Sequence, residues 1–431
     1  MKKNWLFFVA LFLCLLFAAC SKEDNNENTG NGISVIIDAN GIASNGSLFS
    51  AIDDKNFYLD YIKYTVEEGH LVVTGYDEIG FKGHANIVSS ISYKGNSYEV
   101  LEIKNEAFLW CDEMTTLTIP NSVTVIGDQA FASCHNLTSV TIPYSVKKII
   151  GYQAFASCDK LASIIVDKNN LFYDSRESCN AIIETATNTL IAGSSATVIP
   201  NSVKTIGEYA FSKRKGLTSI TIPSNVKTIG EYAFRECDKL KSVNIISDIA
   251  EFGEGTFYEC SNLTSINLPD SITQISEATF QGCKNLTSII IPNSVTSIGN
   301  NAFSGCQSLT SIILPDSITS LGSSAFWGCQ SLKDVTIPDG IKTLGWHTFD
   351  GCSGLTSVTI GRNMEYIAQS AFNGCINLTD VYCIGTSPSQ IYYDSFDYNT
   401  RTSVTVYVPQ GTKSIYEETE WGYYFRNIIE Q

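Results

Sequence analysis

Thiols are the reactive groups that this chain sets out most regularly. Ten of its fourteen cysteines, Cys111, Cys134, Cys158, Cys237, Cys260, Cys283, Cys306, Cys329, Cys352 and Cys375, lie three residues after a phenylalanine and three before a position that is nearly always leucine. In an exported chain such a series raises the question of disulfides, and thiolates also hold metals. Neighbouring strands about 4.8 Å apart would bring the Cα atoms close enough for a bridge. Parallel side chains in a ladder point the same way, however, and would have to twist to join. A repeated interior position is one where a thiol serves as a small apolar residue, so buried free thiols are expected, with bridges or a metal as the alternatives. Cys179 and Cys383 stand off the series.

Other chemistry is sparse. The only histidines are His70, His84, His135 and His347, and the chain has no H-E-x-x-H, G-x-S-x-G or P-loop. No catalytic, cofactor-binding or metal-ligating residue is therefore assigned. His135 and His347 are expected on the surface. Asp167, Asn169, Asp174 and Glu177 crowd together as calcium ligands might, but the glycine of an EF-hand loop is missing. The Asn-Leu-Thr sequons at Asn136, Asn262, Asn285 and Asn377 arise from the repeat itself.

What positions these residues is a stride. From Phe211 through Phe234, Phe257, Phe280, Phe303, Phe326 and Phe349 to Phe372 every step is 23 residues, and Phe108, Phe131, Phe155 and Phe396 extend the series. A period in the twenties marks a solenoid whose units bury their apolar faces only by stacking. Aligned on the phenylalanine, Leu309, Ile312 and Leu314 recur as Leu263, Ile266 and Leu268 and as Leu355, Val358 and Ile360. The last two of each triplet are two apart, which is strand spacing. Proline at 120, 143, 223, 269, 292, 315 and 338 ends each strand. Apolar residues three apart follow, then a glycine (127, 207, 230, 299, 322, 345) that permits a turn.

The string L-x-x-[IV]-x-[IL]-P followed by V-x-x-I-G-x-x-A-F-x-G-C resembles the BspA-type leucine-rich repeat over residues 98–396. The resemblance implies a β-rich leucine-rich-repeat solenoid with one short strand per repeat, short helical or irregular turns on the other side, and caps at both ends. It also implies a surface-exposed adhesion or host-protein-binding role in Gram-negative anaerobes.

The flanks break the pattern as caps should. In an N-terminal cap at 32–97, runs at 61–66, 71–75, 87–93 and 97–103 read as strands, with Lys94-Gly95-Asn96 as a hairpin turn. Residues 32–56 carry no assignable element. At 397–431, Val404 to Val408 and the aromatic stretch Trp421 to Phe425 suggest a closing strand and helix. Phe155 and Phe211 are 56 residues apart, so about 167–199 forms either a lengthened repeat or a projecting hairpin. The cluster Lys213-Arg214-Lys215 puts a cation where the cysteine belongs and reads as a solvated loop, with a polyanion site as the alternative.

Lys2 and Lys3 precede an apolar run from Trp5 to Ala19, which is short for a membrane span and reads as a signal peptide over 1–19. It is similar to a lipoprotein signal, with Phe17 where such signals prefer leucine, and this implies Cys20 as the lipid attachment site. Residues 20–31 then form a flexible tether, whose Lys22-Glu23-Asp24 resembles the acidic signal for export to the outer face of the outer membrane. A formal charge of -16 argues against nucleic-acid partners, which bind through Lys and Arg.

Function is then sought on the outward strand positions Ser219, Thr221, Ser242, Asn244, Ser265, Asn267, Ser288, Ile290, Ser311, Ile313, Asp334, Thr336, Ser357 and Thr359. Eleven stacked strands at about 4.8 Å, each five residues wide, give a face of roughly 850 Å², near the 800 Å² or so per partner of an ordinary protein interface. The expected partner is a host extracellular protein or cell-surface macromolecule, met by a monomer that touches the membrane only through its lipid. The alternative is a structural or accessory outer-membrane lipoprotein that contacts glycans. Trp327, Trp346 and Tyr258 would serve glycan contact, although shielding from solvent is the role expected of them.

Overall fold

The computed structural model describes residues 33–431; Cys20, the signal segment and the tether lie outside the described residues. Most coils begin with a strand such as Ser219–Ile222, whose alternate residues Ile220 and Ile222 are buried; in the coils of Ile290 and Ile313 it shrinks to a single parallel bridge between those two residues. Adjacent coils pair in parallel one period apart, Ser219 opposite Ser242 and Ile222 opposite Ile245. A turn follows the proline, closed by the Val226 N–H on the Pro223 carbonyl at 3.1 Å. The chain then makes a second ladder of two-residue strands, among them Thr228–Ile229, Gln274–Ile275, Ser297–Ile298 and Ser320–Leu321. Residues three apart had signalled a turn there; only one inward side chain per coil is needed to join that ladder. The third side is irregular, as expected.

The glycines after this ladder have a different purpose from the one the sequence suggests. A Cβ on Gly127 would lie 2.3 Å from the Asn105 amide nitrogen, and one on Gly322 would lie 2.4 Å from that of Asn300. Close approach of one coil to the next therefore demands glycine, not a left-handed turn. That turn falls two residues after the phenylalanine, where Gly305 has φ 72° and Gly328 φ 68°.

The phenylalanines stack face to face in two runs. Phe108, Phe131 and Phe155 form the first, and Phe211 to Phe396 form the second, with ring centroids 5.0–5.6 Å apart. Beside them every thiol of the series is buried and free. Each one after Cys111 donates to the carbonyl of the phenylalanine one coil back, as Cys260 does to Phe234 (3.1 Å) and Cys306 to Phe280 (3.2 Å). Burial pushes the Cys237 thiol up to about 12. Cys179 and Cys383 are also buried and free.

Between the two phenylalanine runs lies the long unit, and it does not project. Ala181–Glu184 and Thr189–Gly193 form an antiparallel hairpin whose second strand is wholly buried and pairs in parallel with Thr205–Ile206. Coils on either side still touch directly, the Ser157 N–H donating to the Ser212 carbonyl at 3.2 Å, while Gly193 donates to Ala210 where the Phe155 amide would otherwise bond. The hairpin is thus a wedge. Arg214 fills it, and the reading of this residue as part of a solvated loop is overturned: its side chain is 0% exposed. Nη2 donates to the Phe155 carbonyl (2.7 Å), Nε to Gly193 (2.6 Å) and Nη1 to Cys158 (3.1 Å) and Ser212 (3.3 Å). The Phe155 carbonyl is the acceptor that a cysteine would use in an unbroken stack. The wedge moves it out of a thiol's reach, and only the longer side chain spans the gap.

At the N-terminal end Asn56–Leu59, Ile62–Glu67 and His70–Tyr76 form an antiparallel meander. It joins Asn96–Ile103 in parallel, and through that strand the first short pair Val125–Ile126. Lys94 (φ 50°) and Gly95 (φ 79°) make the hairpin turn. The segment without an assignment holds Ser34–Ile36, parallel to Ser90–Tyr93, and Phe49–Ala51, antiparallel to Asn56–Leu59. At the C-terminal end Thr405–Val408 and Asn427–Glu430 extend the ladder, and Trp421, fully buried, packs edge-on against Phe396 at 5.8 Å.

Candidate binding surface

Alternation along each strand places one set of side chains in the core and the other in water. Ser219, Thr221, Ser242, Asn244, Ser265, Asn267, Ser288, Ile290, Ser311, Ile313, Asp334 and Thr336 are exposed, whereas Ser357 and Thr359 are half-buried beside Asp380 and Tyr382 of the next coil. The ladder brings these positions together: Thr221 faces Asn244, Ile290 faces Ile313, and Thr336 faces Thr359. Ile290 and Ile313 are each 82% exposed.

Hydroxyls that tie the coils together lie elsewhere. Thr264 donates to the Lys241 carbonyl (3.1 Å), Thr310 to Thr287 (3.3 Å) and Thr356 to Lys333 (3.0 Å), each from the residue just before its strand. From Ser219 to Ile313 no outward strand position is ionisable, in a chain of formal charge -16.

Charge is gathered instead near the phenylalanine turn. Glu208, Glu231, Glu254 and Glu277 occupy one position in four successive coils. Next to them Tyr209 and Tyr232 stack at 5.4 Å, the Tyr232 hydroxyl donates to Glu254, and the Arg235 guanidinium lies over the Tyr232 and Tyr258 rings.

This spacing and geometry agree with a known repeat. Residues 89–190, 192–309 and 273–403 match the BspA type leucine rich repeat region, in six copies. The chain belongs to the BspA-type leucine-rich repeat family. Among solved structures, a leucine-rich repeat protein from Bacteroides ovatus ATCC 8483 is 28% identical, over 86% of this chain and 90% of that one, with a TM-score of 0.57. The T. pallidum leucine rich repeat protein is 32% identical over 40% of this chain and 82% of that one, with a TM-score of 0.37. A leucine rich cell surface protein from Faecalibacterium prausnitzii A2-165 is 23% identical over 89% and 96%, with a TM-score of 0.48. No curated protein matches the chain.

Within the BspA-type repeats, the carboxylates and histidines singled out in the sequence are engaged with other side chains or backbone groups. Asp174 accepts from Arg176 Nε at 2.8 Å and lies 2.7 Å from Nη2, and Asp167 accepts from the Asn169 amide. Among the described residues no group of histidine, cysteine or carboxylate side chains is placed to hold a metal ion. His135 and His347 are half-buried, the first 3.3 Å from Asp159 and the second 2.9 Å from Asp350.

The sequon amides bind neighbouring coils: Asn136 donates to the Asp112 carbonyl and Asn377 to that of Ser353, both at 2.7 Å. Trp327 and Trp346 are not shielded, being 49% and 63% exposed, because their positions just outside the phenylalanine turn face water; Tyr258 alone is half-buried. The glutamate column and the exposed tryptophans were accessible to the same 23-residue stride, applied to positions beside the phenylalanine.

Proposed function

We propose that this BspA-type solenoid is carried to the outer face of the outer membrane on a lipid at Cys20, the signal occupying 1–19 and the tether 20–31. There it binds a host extracellular protein or another cell-surface macromolecule, as a monomer and without catalysis. The binding face is the strand ladder, flanked by caps at 32–97 and 397–431.

The observation that carries this reading is the segregation of charge. Depletion of charged residues is what distinguishes the core of a protein interface from ordinary surface, and here a strongly acidic chain keeps ionisable groups off ten successive outward positions while exposing Ile290 beside Ile313. Eleven stacked strands give a face of roughly 850 Å², of which the five uncharged coils make up about 400 Å², more than a small ligand covers. Among the described residues no helix is long and apolar enough to cross a membrane.

The test is a set of charged substitutions. Asn267→Asp, Ile290→Asp and Ile313→Lys should abolish capture of the partner from host plasma, matrix or mucin while leaving the fold intact, and Glu231→Lys, Glu254→Lys and Glu277→Lys should change it little. If the second set abolishes capture and the first does not, the strand face is a passive ladder. The reading as a structural or accessory outer-membrane lipoprotein that contacts glycans draws on the exposure of Trp327 and Trp346.

A further inference from the structure

The position three residues before each core phenylalanine changes character along the array. It is Asn105, Asp128 and exposed Tyr152 in the first three coils, glutamate in the four from Glu208 to Glu277, Asn300 and Ser323 in the next two, and Trp346, Gln369 and Tyr393 in the last three, where two exposed aromatics stand close together. Trp346 is 63% exposed and Tyr393 60%, with exposed Gln369 between them. A contiguous exposed apolar patch, unlike a single exposed residue, marks a contact site, and exposed Tyr392 adjoins Tyr393 here.

Coil register fixes the spacing. The His347 N–H donates to the Gln369 carbonyl, which aligns successive coils here. At the 5.4 and 5.0 Å steps of the phenylalanine column, Trp346 and Tyr393 stand about 10 Å apart along the solenoid axis. The Tyr393 ring is braced by Tyr392, with centroids 4.9 Å apart. Acceptors flank the row. Asp394 accepts from Gln369 Nε2 and the Ser370 N–H, both at 3.3 Å, and Asp350 accepts from His347 Nδ1 at 2.9 Å and Asn373 Nδ2 at 3.2 Å; each carboxylate oxygen retains a lone pair beyond these contacts.

We propose that this row binds an extended, uncharged glycan lying along the solenoid axis, with one sugar ring on Trp346, another on Tyr393, and hydroxyls donated to Asp394 and Asp350. A sugar ring presents a face of C–H bonds that packs on the negative face of an aromatic ring, while its hydroxyls supply donors to the carboxylates.

Spacing alone would also admit a proline-rich segment, which repeats every three residues at about 3.1 Å each and docks on aromatic grooves. Such a segment lacks N–H donors at its prolines and presents carbonyl oxygens to a rim that is already acceptor-rich. Anionic glycans meet the same carboxylates and a chain of charge -16. The site shares no residue with the strand face, so the two stand or fall separately.

The experiment is affinity electrophoresis of the full chain in gels containing a soluble neutral β-linked glucan, mannan or galactan, with a sulfated glycan in parallel gels and a proline-rich peptide titrated separately. At least one neutral polymer should retard the protein. Trp346→Ala and Tyr393→Ala should each weaken retardation by about tenfold, the scale of one aromatic contact. Trp110→Ala, exposed at the far end of the array, should leave it unchanged, as should Ile290→Asp on the strand face. Melting temperatures of the variants should match the parent. No retardation by any of the three neutral polymers, equal retardation of the parent and of the double variant, or stronger binding to the sulfated glycan or the peptide would overturn the proposal. None of these results bears on the strand face.

Discussion

Arg214 offers the sharpest test of how the array is held together across its wedge. Replacing it by methionine keeps most of the apolar stem and removes the guanidinium. Two carbonyls, those of Gly193 (2.6 Å) and Phe155 (2.7 Å), then lose their donor, while those of Cys158 and Ser212 keep the N–H groups of Leu161 and Ser157. A buried acceptor left without a partner costs about 1–3 kcal/mol, so the two together cost roughly 2–6. Against this stands the desolvation of a cation whose four acceptors are all neutral carbonyls, worth several kcal/mol and recovered when the charge is removed. Burial indeed lowers the pKa of this guanidinium from its ordinary value, although arginine stays protonated at any accessible pH.

The acceptors should win, with a net loss of about 1–3 kcal/mol for Arg214→Met by urea titration. Arg214→Cys restores the usual repeat residue but should be no better, since the wedge holds the Phe155 carbonyl away. Hydrogen exchange should report the damage locally, at residues 155–158 and 193–214, because repeat arrays transmit stability through nearest neighbours. Unchanged or raised stability in Arg214→Met, or a fully stable Arg214→Cys, would refute the bridging role.

Phe280→Ala, which removes a fully buried ring stacked on Phe257 at 5.6 Å and Phe303 at 5.4 Å, should cost about 3–5 kcal/mol by denaturant titration; a loss below about 1 would mean that the ring is not interior. Cys260, Cys283 and Cys306 should resist alkylating reagents until the chain unfolds and appear unlinked by mass spectrometry without reduction, whereas neighbouring linked pairs would contradict the free thiols seen in the fold. Burial raises Cys111 and Cys237 from 9.0 to about 12, so their contribution to stability is complete below pH 9 and is lost as the pH climbs toward 12. Urea midpoints should therefore fall above about pH 9, and a flat profile between about pH 9 and 11 would contradict this sign. Cys20→Ala should abolish lipid labelling and release the protein from the membrane fraction; retention in that variant would end the anchoring proposal.

The fold was legible wherever a residue type repeated in register, because a solenoid writes its core as columns. Phe280, Cys283, Leu286 and Ile289 needed only the 23-residue stride to be placed inside, and all four are buried. The second ladder was not legible: Ser297–Ile298 contributes one inward residue, too little to show an alternation. Ser34–Ile36 was hidden for another reason, since it is three residues long and its partner lies 56 positions on, at Ser90.

Arg214 misled through its residue type. A cation flanked by two lysines reads as solvent-exposed by composition, yet its place in the register is the buried cysteine position, and the register was the stronger signal. The same rule extends to the outer surface. On the strand face it selects the uncharged run from Ser219 to Ile313, and three residues before the phenylalanine it sets the four glutamates from Glu208 to Glu277 apart from the last coils, which expose Trp346 and Tyr393. Core columns must stay uniform because every coil packs against two like itself, whereas an outer column is under no such constraint. A change of character along an outer column, with the core beneath it unchanged, is therefore where binding chemistry in a solenoid should be sought.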